Sequence, residues 1–273
     1  MRRWVAGAAV LSVTLPCALA CSGGPAAPAD PGAARGSAAA PPATGARATV
    51  PPATVPPTTG AAAFTVTGVR PVLPNGSQDT YAQAGTAACD GAQLATDQSL
   101  GSHIADGFVV GGFPAAAQLL RHFLAGAGTG IGYPGGSRIS GLARASSAFQ
   151  AVNEQVQAAV GRQLKAGDTR VRLDPAELPT VTFGDTTSDL YWSFRGTQGL
   201  TVTGSGHREG GRYVGTLTYV IRDSYGFPPD DTLGGFGPPM RYLQTVCGAP
   251  RHAGGAHWFP DSVTVTVPFA QPA

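Results

Sequence analysis

Four side chains around the predicted strands are of the types needed for acid–base chemistry: His207, Glu209, Asp223 and His257. A histidine beside a carboxylate is the minimum pair for general acid–base catalysis near neutral pH. The polar turn of a predicted hairpin over residues 198–223 lies near Glu209, so His207 and Asp223 are expected at opposite ends of it. We therefore expect His207 to pair with Glu209, and Asp223 to meet an arginine or His257. The alternative is that hairpin tips and loops are polar because water solvates them.

Other chemical motifs in the sequence are weak. Glycines within 130–135 match the dinucleotide pattern G-x-G-x-x-G, but the run follows a predicted helix and contains Pro134, so no nucleotide site is predicted. His252 and His257 flank a short loop without a cysteine or carboxylate at a metal-ligand interval, so no metal site is predicted. We predict no cofactor. The single lysine, Lys165, lies at a predicted helix end and is a poor candidate for catalysis.

The N-terminus has the pattern of a targeting signal. Arg2 and Arg3 precede an apolar run, 5–15, which is too short to span a bilayer. Small residues then precede Cys21 within Ala-Leu-Ala-Cys-Ser-Gly-Gly, and this run resembles the lipobox of bacterial lipoproteins. The resemblance implies a signal peptide over 1–20 and a diacylglycerol-modified Cys21 that anchors the mature protein to the cell membrane.

The lipobox resemblance has one departure. Ala18 stands three residues before the cysteine, where the family usually has leucine. Ala18-x-Ala20 also fits ordinary signal-peptide cleavage, which would release a secreted protein. Secretion without an anchor therefore remains the alternative to lipidation.

Residues 21–62 are expected to form a disordered tether. Positions 25–60 contain twelve alanines and nine prolines but almost no large apolar side chain. Such a segment cannot offset the entropy of ordering by burial. Its Pro-Pro pairs favour extended polyproline II, so the tether is expected to act as a semi-stiff spacer.

Two cysteines remain after the signal peptide and the anchor are set aside, Cys89 and Cys247. In an oxidising exterior an even pair most simply forms a disulfide, which would close a loop of 158 positions. The alternative is a catalytic thiol at Cys247.

Residues 63–273 are predicted to form one globular α+β domain, with N-terminal helices followed by an antiparallel β-sheet. An apolar–polar alternation at 64–67 predicts a first strand, helical spacing predicts helices over 114–124 and 137–165, and a short helix is predicted over 238–247. Ser147 with Gln150 fits a capping box, so 137–165 is either one helix or two. After Gly167 the period changes to two. The residues that carry this alternation are Val171/Leu173, Val181/Phe183, Leu190/Trp192/Phe194, Leu200/Val202, Tyr213/Leu217/Tyr219/Ile221 and Val263/Val265/Val267/Phe269.

Composition limits the function classes. Only 12% of residues are charged, and without the signal and tether the domain has 14 basic against 15 acidic residues, which excludes the basic surface that nucleic acids require. The 17 arginines against one lysine, with abundant alanine, glycine and proline, indicate a GC-rich genome and an actinobacterial source.

The domain resembles no characterised family specifically. We expect a lipid-anchored extracytoplasmic binding or structural module of the bacterial cell envelope, with a glycan or protein partner. The alternative is a secreted or envelope hydrolase with a His/carboxylate site.

Overall fold

A computed structural model describes residues 63–72, 87–227, 234–248 and 251–273. The predicted signal peptide, Cys21 and the tether lie outside these residues. The described residues belong to a compact unit, Pro56–Ala273, and the prediction of one domain over 63–273 stays a prediction. Among the described helices, none has the length and apolar character needed to span a bilayer.

Helices and a six-stranded sheet bear out the α+β class, but the sheet is mixed, so the antiparallel prediction is wrong. The strand order is β2-β6-β5-β4-β1-β3, with β1 parallel to β3 and β2 parallel to β6. Each parallel pair joins strands that are well separated in the chain, because parallel neighbours need a crossover connection and cannot be joined by a tight hairpin turn. The strands are β1 Ala63–Arg70, β2 Ile131–Tyr133, β3 Arg170–Leu173, β4 Gly199–Glu209, β5 Arg212–Tyr225 and β6 Phe259–Pro272.

The four longer helices precede β3 in the chain, but β1 comes before them all, and β2 separates the second from the third. Pro114 begins the second helix as predicted. The predicted 137–165 helix is two helices, divided at Ser146, whose hydroxyl accepts a hydrogen bond from the Phe149 backbone N–H and caps the second of them. The helices are α1 Gly91–Val110, α2 Pro114–Leu124, α3 Arg138–Ala145 and α4 Ser147–Lys165.

Two segments differ from the sequence prediction. The alternation at Leu190/Trp192/Phe194 forms a short helix, α5 Asp189–Ser193, because the Ser188 hydroxyl caps its first turn. The alternation at Val181/Phe183 yields a single bridge, between residues 182 and 196, instead of a strand.

The β4–β5 hairpin is confirmed, with paired residues from Gly199↔Arg222 to Glu209↔Arg212. Gly210 and Gly211 form its turn with φ values of 53° and 76°. Two successive positive φ angles are what a two-residue type I′ turn requires.

Two apolar clusters fill the described fold. The first lies between one face of the sheet, the inner face, and helices α3 and α4. The second joins α1 and α2 to β6 and to a short helix, α6 Gly237–Arg241. Tyr133 of β2 packs against both clusters. The larger fully buried members include Phe149, Phe194, Leu200, Tyr219 and Phe269 in the first, and Leu119, Leu120, Phe123 and Phe259 in the second.

The predicted helix over 238–247 is α6 followed by a π-helical turn, Tyr242–Val246. Cys247 comes next and forms a disulfide with Cys89, as the sequence predicted, with 5.0 Å between their Cα atoms. The disulfide joins the start of α1 to this C-terminal turn. The Asp90 backbone N–H also donates to the Tyr242 hydroxyl at 2.7 Å, so two bonds hold the same junction.

Candidate functional site

His207 and Glu209 meet at the hairpin tip, as the sequence predicted. The His207 Nε2 and Glu209 Oε2 atoms are 3.6 Å apart, and their side chains are 51% and 72% exposed. Water therefore screens the pair, which limits how far either group can polarise the other. The tip is a solvated contact between a histidine and a carboxylate and lacks the desolvation of a catalytic site.

Asp223 lies far from this tip. His207 pairs with Val214 in the hairpin, and Asp223 lies nine positions further along β5 than Val214. At about 3.3 Å per residue this places the two candidates about 30 Å apart. The structure therefore does not bring His207 and Glu209 to Asp223.

His257 is held by backbone groups in the loop before β6. Its Nδ1 atom lies 2.6 Å from the Trp258 carbonyl oxygen, and its backbone N–H donates to the Phe123 carbonyl at 3.4 Å. His252, its partner in the weak metal pattern, is exposed. Among the described residues, no three His, Cys, Asp or Glu side chains come together as metal ligands.

Asp223 instead faces a second carboxylate that the sequence analysis did not select. Asp223 of β5 and Asp261 of β6 are directly opposite each other in the antiparallel register. Opposed residues in such a pair have Cβ atoms about 4.5–5.5 Å apart. Asp223 shares its sheet face with buried Ile221, and Asp261 shares its face with buried Val263, so the pair belongs to the inner face.

The two carboxyl groups have different surroundings. Asp223 accepts hydrogen bonds from the backbone N–H groups of Ser224, at 2.9 Å, and Gly196. Asp261 is 3% exposed, and its carboxylate oxygens have no hydrogen-bond partner among the other described residues, only a weak contact with its own backbone N–H. A buried carboxylate with so few donors is costly, which favours its protonated form.

Burial dominates the electrostatics of the pair. It raises the pKa of Asp223 to about 7, although the hydrogen bonds from Ser224 and Gly196 oppose the rise. The pKa of Asp261 is raised well above its ordinary value, first by burial and then by the charge of Asp223. Like charges so close cannot both ionise cheaply, so burial and mutual repulsion both favour protonation of the pair.

Tyr133 and Asp189 complete the charged and titratable surroundings. Burial raises the pKa of Tyr133, with smaller contributions from the charges of Asp261 and Asp189. The Asp189 carboxylate accepts from the Ala115 and Ala116 N–H groups at 3.1 and 3.0 Å, and pairs with Arg138 at 2.7 Å. Asp189 is therefore neutralised by the α2 N-terminus and Arg138, whereas the Asp223–Asp261 pair has no ion-pair partner among the described residues.

A cavity of about 380 Å³ lies beside the carboxyl pair, where β2, β5 and β6 meet. The cavity combines an aromatic ring, a guanidinium and hydroxyl groups, a mixture suited to a small polar ligand. Its lining residues are Val72, Gly130, Ile131, Gly132, Arg222, Asp223, Ser224, Trp258, Pro260, Asp261 and Ser262.

Hydroxyl side chains dominate the opposite, outer face of the sheet. One row crosses four neighbouring strands in register, with Thr67 opposite Thr203, Thr203 opposite Thr218, and Thr218 opposite Thr266. The Thr218 and Thr266 hydroxyls are 3.2 Å apart. All four residues are exposed or half-buried, so the outer face presents hydroxyl groups to solvent next to the cavity.

The sequence held a signal for Asp261 that was not used. Asp261 interrupts the apolar alternation of Val263, Val265 and Val267, and Asp223 interrupts that of Tyr219 and Ile221. A charged residue on the apolar face of a strand marks a site that needs a partner. That the two interruptions face each other follows only from the β5–β6 register.

Comparison of the chain with protein-family models, with curated proteins and with solved structures finds no match. Function must therefore be argued from the site itself.

Proposed function

We propose that the protein is a lipid-anchored extracytoplasmic binding module of the bacterial cell envelope. Its ligand site is the cavity between β2, β5 and β6 and the adjoining outer face of the sheet, and its ligand is a polyhydroxylated envelope glycan. The observation that carries this proposal is the cavity lining, which places Trp258 and Arg222 among serine hydroxyls.

The chemistry of that lining fits a sugar. A partly exposed tryptophan offers a flat apolar surface to the C–H face of a sugar ring, and a guanidinium donates several hydrogen bonds to hydroxyl oxygens. A volume of about 380 Å³ is at the small end of ligand pockets, which suits one sugar residue of a longer chain. The threonine row of the outer face would contact neighbouring sugar residues.

The anchor and tether support an envelope location. Diacylglycerol on Cys21 would attach the chain to the membrane, and 42 residues of tether, 21–62, would reach at most about 130 Å in polyproline II. That length would let the domain meet glycan well outside the bilayer. Mass spectrometry of the membrane fraction should detect the lipid-modified Cys21 peptide, and unmodified protein found only in the medium would contradict the anchor.

The hydrolase alternative loses support from the geometry. His207 and Glu209 lie about 30 Å from Asp223, beyond direct proton transfer. Asp261 does lie beside Asp223, but both of its carboxylate oxygens are buried. Acid–base hydrolysis would need a second titratable group that reaches the substrate beside Asp223, which favours binding over hydrolysis for this site.

Co-sedimentation with purified peptidoglycan, and titration with soluble muropeptides, test the binding proposal. We expect the full mature chain to bind, and Arg222→Gln and Ser262→Val to weaken binding at least tenfold, because both residues line the cavity. Glu209→Gln at the distant hairpin tip is the control and should bind as the unmodified chain does. Equal binding by all variants, or no binding by the unmodified chain, would refute the glycan site.

A further inference from the structure

The charged residues of the domain are unevenly distributed over its surface. By the alternation of side chains along each strand, the outer face of the described strands carries Arg170, Arg172, Arg212 and Arg222 and one carboxylate, Glu209. Residues 63–273 hold 14 basic and 15 acidic residues, and subtracting these four arginines and one glutamate leaves 10 basic and 14 acidic residues elsewhere. The outer face is therefore positive, although the domain as a whole is not.

The nearby carboxyl groups do not cancel this charge. Glu209 is directly opposite Arg212 at the hairpin tip. It lies four positions beyond Ser205, about 13 Å along β4, which exceeds the Debye length of about 8 Å at physiological ionic strength. Asp223 and Asp261 beside the cavity point to the inner face, where burial favours their protonated forms.

The other three arginines have no ion-pair partner among the described residues. Arg170 and Arg172 of β3 are exposed, and Arg222 is half-buried in the cavity lining. One N–H group of Arg222 donates to the Thr201 hydroxyl, which leaves further donors of its guanidinium for a ligand. Three guanidinium groups thus face solvent or the cavity without a counter-charge.

The threonine row connects these arginines. Arg172 is opposite Thr67, the last residue of that row, and Arg170 is opposite Thr65. The two arginines are two positions apart on one strand, so their Cα atoms are about 7 Å apart. Arg222 lies three strands and four positions away from Arg172, which places their Cα atoms about 20 Å apart.

The edge strand β3 is held in place on both of its sides. Its inner neighbour is β1, with which it pairs in parallel. On the open side, the Arg172 backbone N–H donates to the Gln163 side-chain carbonyl at 3.1 Å, and the Arg172 carbonyl accepts from the Gln163 amide at 3.0 Å. The backbone that presents the two guanidinium groups is therefore ordered before a ligand arrives, which lowers the entropic cost of binding.

We propose that the outer face binds an anionic envelope glycan, whose phosphodiester or carboxylate groups contact Arg170, Arg172 and Arg222 while its sugar hydroxyls contact the threonine row. Guanidinium groups bind both kinds of oxyanion through paired hydrogen bonds. A span of about 20 Å between the outermost arginines requires a chain of several units, so the ligand is a polymer and not a single ion. This proposal rests on the glycan function proposed above and adds the charge of the ligand to it.

Sedimentation of the full mature chain with cell walls of the producing bacterium tests the charge of the ligand. Hydrofluoric acid removes phosphodiester-linked polymers from one portion of the walls, and carbodiimide coupling to ethanolamine neutralises the carboxylates of a second portion. We expect one of these treatments to weaken binding at least tenfold, which identifies the oxyanion. Raising NaCl from about 0.05 to about 0.5 M should also weaken binding to untreated walls at least tenfold, because salt screens exposed charges.

A double variant, Arg170→Gln with Arg172→Gln, tests the location of the site. It should bind untreated walls at least tenfold more weakly than the unmodified chain, and should bind walls that have lost the oxyanion equally well. Arg144→Gln is the matched control, because it removes an exposed arginine from α3, a helix that packs against the inner face. All three substitutions are at exposed positions, so the variants should fold as the unmodified chain does.

Three results would overturn the anionic ligand. Equal binding to treated and untreated walls would mean that the glycan is neutral, and would leave the glycan function itself standing. Binding of untreated walls by the double variant at the strength of the unmodified chain would place the anion elsewhere. Arginine-dependent binding to phosphatidylglycerol vesicles, with equal binding to all walls, would make this face a lipid surface. Failure to bind any wall would refute the glycan function together with its charge.

Discussion

Replacing Asp261 with asparagine should stabilise the protein at neutral pH. Asparagine keeps the size of the side chain and removes one ionisable group from the pair. In the unmodified chain, burial raises the folded pKa of Asp223 from 3.8 to about 7 and raises that of Asp261 as well. The folded state therefore holds more protons than the unfolded state between about pH 4 and pH 7. In that window the free energy of unfolding must fall as pH rises.

The size of the effect follows from the shift of Asp223. A rise of about three pKa units corresponds to about 4 kcal/mol at about 1.4 kcal/mol per unit. This is an upper limit, because water reaches the half-buried Asp223 and screens its charge. Asp261→Asn removes the repulsion between the two carboxylates, so its stability curve should be flatter, and the variant should exceed the unmodified chain by about 1–3 kcal/mol above pH 7.

Urea unfolding from pH 4 to above pH 7, followed by tryptophan fluorescence, measures the free energy of unfolding against pH for the unmodified chain and for Asp261→Asn. Asp185→Asn is the control, because hydrogen bonds from Thr187 lower the pKa of that exposed carboxyl and its contribution to stability runs in the opposite direction with pH. Stability of the unmodified chain that does not fall between pH 4 and pH 7 would refute the reasoning. So would an Asp261→Asn variant that is less stable than the unmodified chain at pH 7.

Three further outcomes are expected from equilibrium unfolding. Replacing Cys89 and Cys247 with serine should cost up to about 5 kcal/mol, because the disulfide closes a loop of 158 positions; an unchanged midpoint would contradict this chain-entropy estimate. Asp189→Ala should cost about 2–4 kcal/mol, because two buried N–H groups at the start of α2 lose their acceptor, and Asp189→Asn should recover part of it. Gly206→Ala should cost about 1–3 kcal/mol, since its Cβ would lie 2.1 Å from a backbone carbonyl oxygen, and a loss below about 0.5 kcal/mol would show that the hairpin adjusts freely.

The sequence predicted elements whose period was strong and whose ends were marked. The hairpin was predicted because two alternating runs flank a glycine turn, and α2 because Pro114 starts an apolar helical stripe. Helix α1 was missed, because its 20 residues are only weakly amphipathic and include Gly101 and Gly107. Its cap at Asp90, whose carboxylate accepts from the Gln93 N–H, was the available signal.

The parallel ends of the sheet could not be predicted from periodicity. Strands β2 and β3 have three and four residues, too few to show a period, and their parallel partners are distant in the chain. The carboxyl pair was predicted only in part, and the reason is the same. Asp223 was selected from its local pattern, but its partner Asp261 lies 38 positions later in the chain. Only the β5–β6 register of the assembled sheet places the two residues opposite each other.

The position of β6 in the sheet bears on how this fold is completed during synthesis. β6 is the last of the six strands in chain order, yet it lies between β2 and β5. Synthesis proceeds from the N-terminus, so the 14-residue edge of β5 stays without its neighbour until residues 259–272 emerge. The unpaired backbone groups of an open edge of that length can pair with strands of other chains. The incomplete chain is therefore prone to aggregation unless a chaperone or another protein covers this edge. The same delay keeps both apolar clusters incomplete, because Val263 of β6 belongs to the first cluster and Phe259 of β6 belongs to the second. A chain exported N-terminus first would therefore cross the membrane before its stable sheet exists.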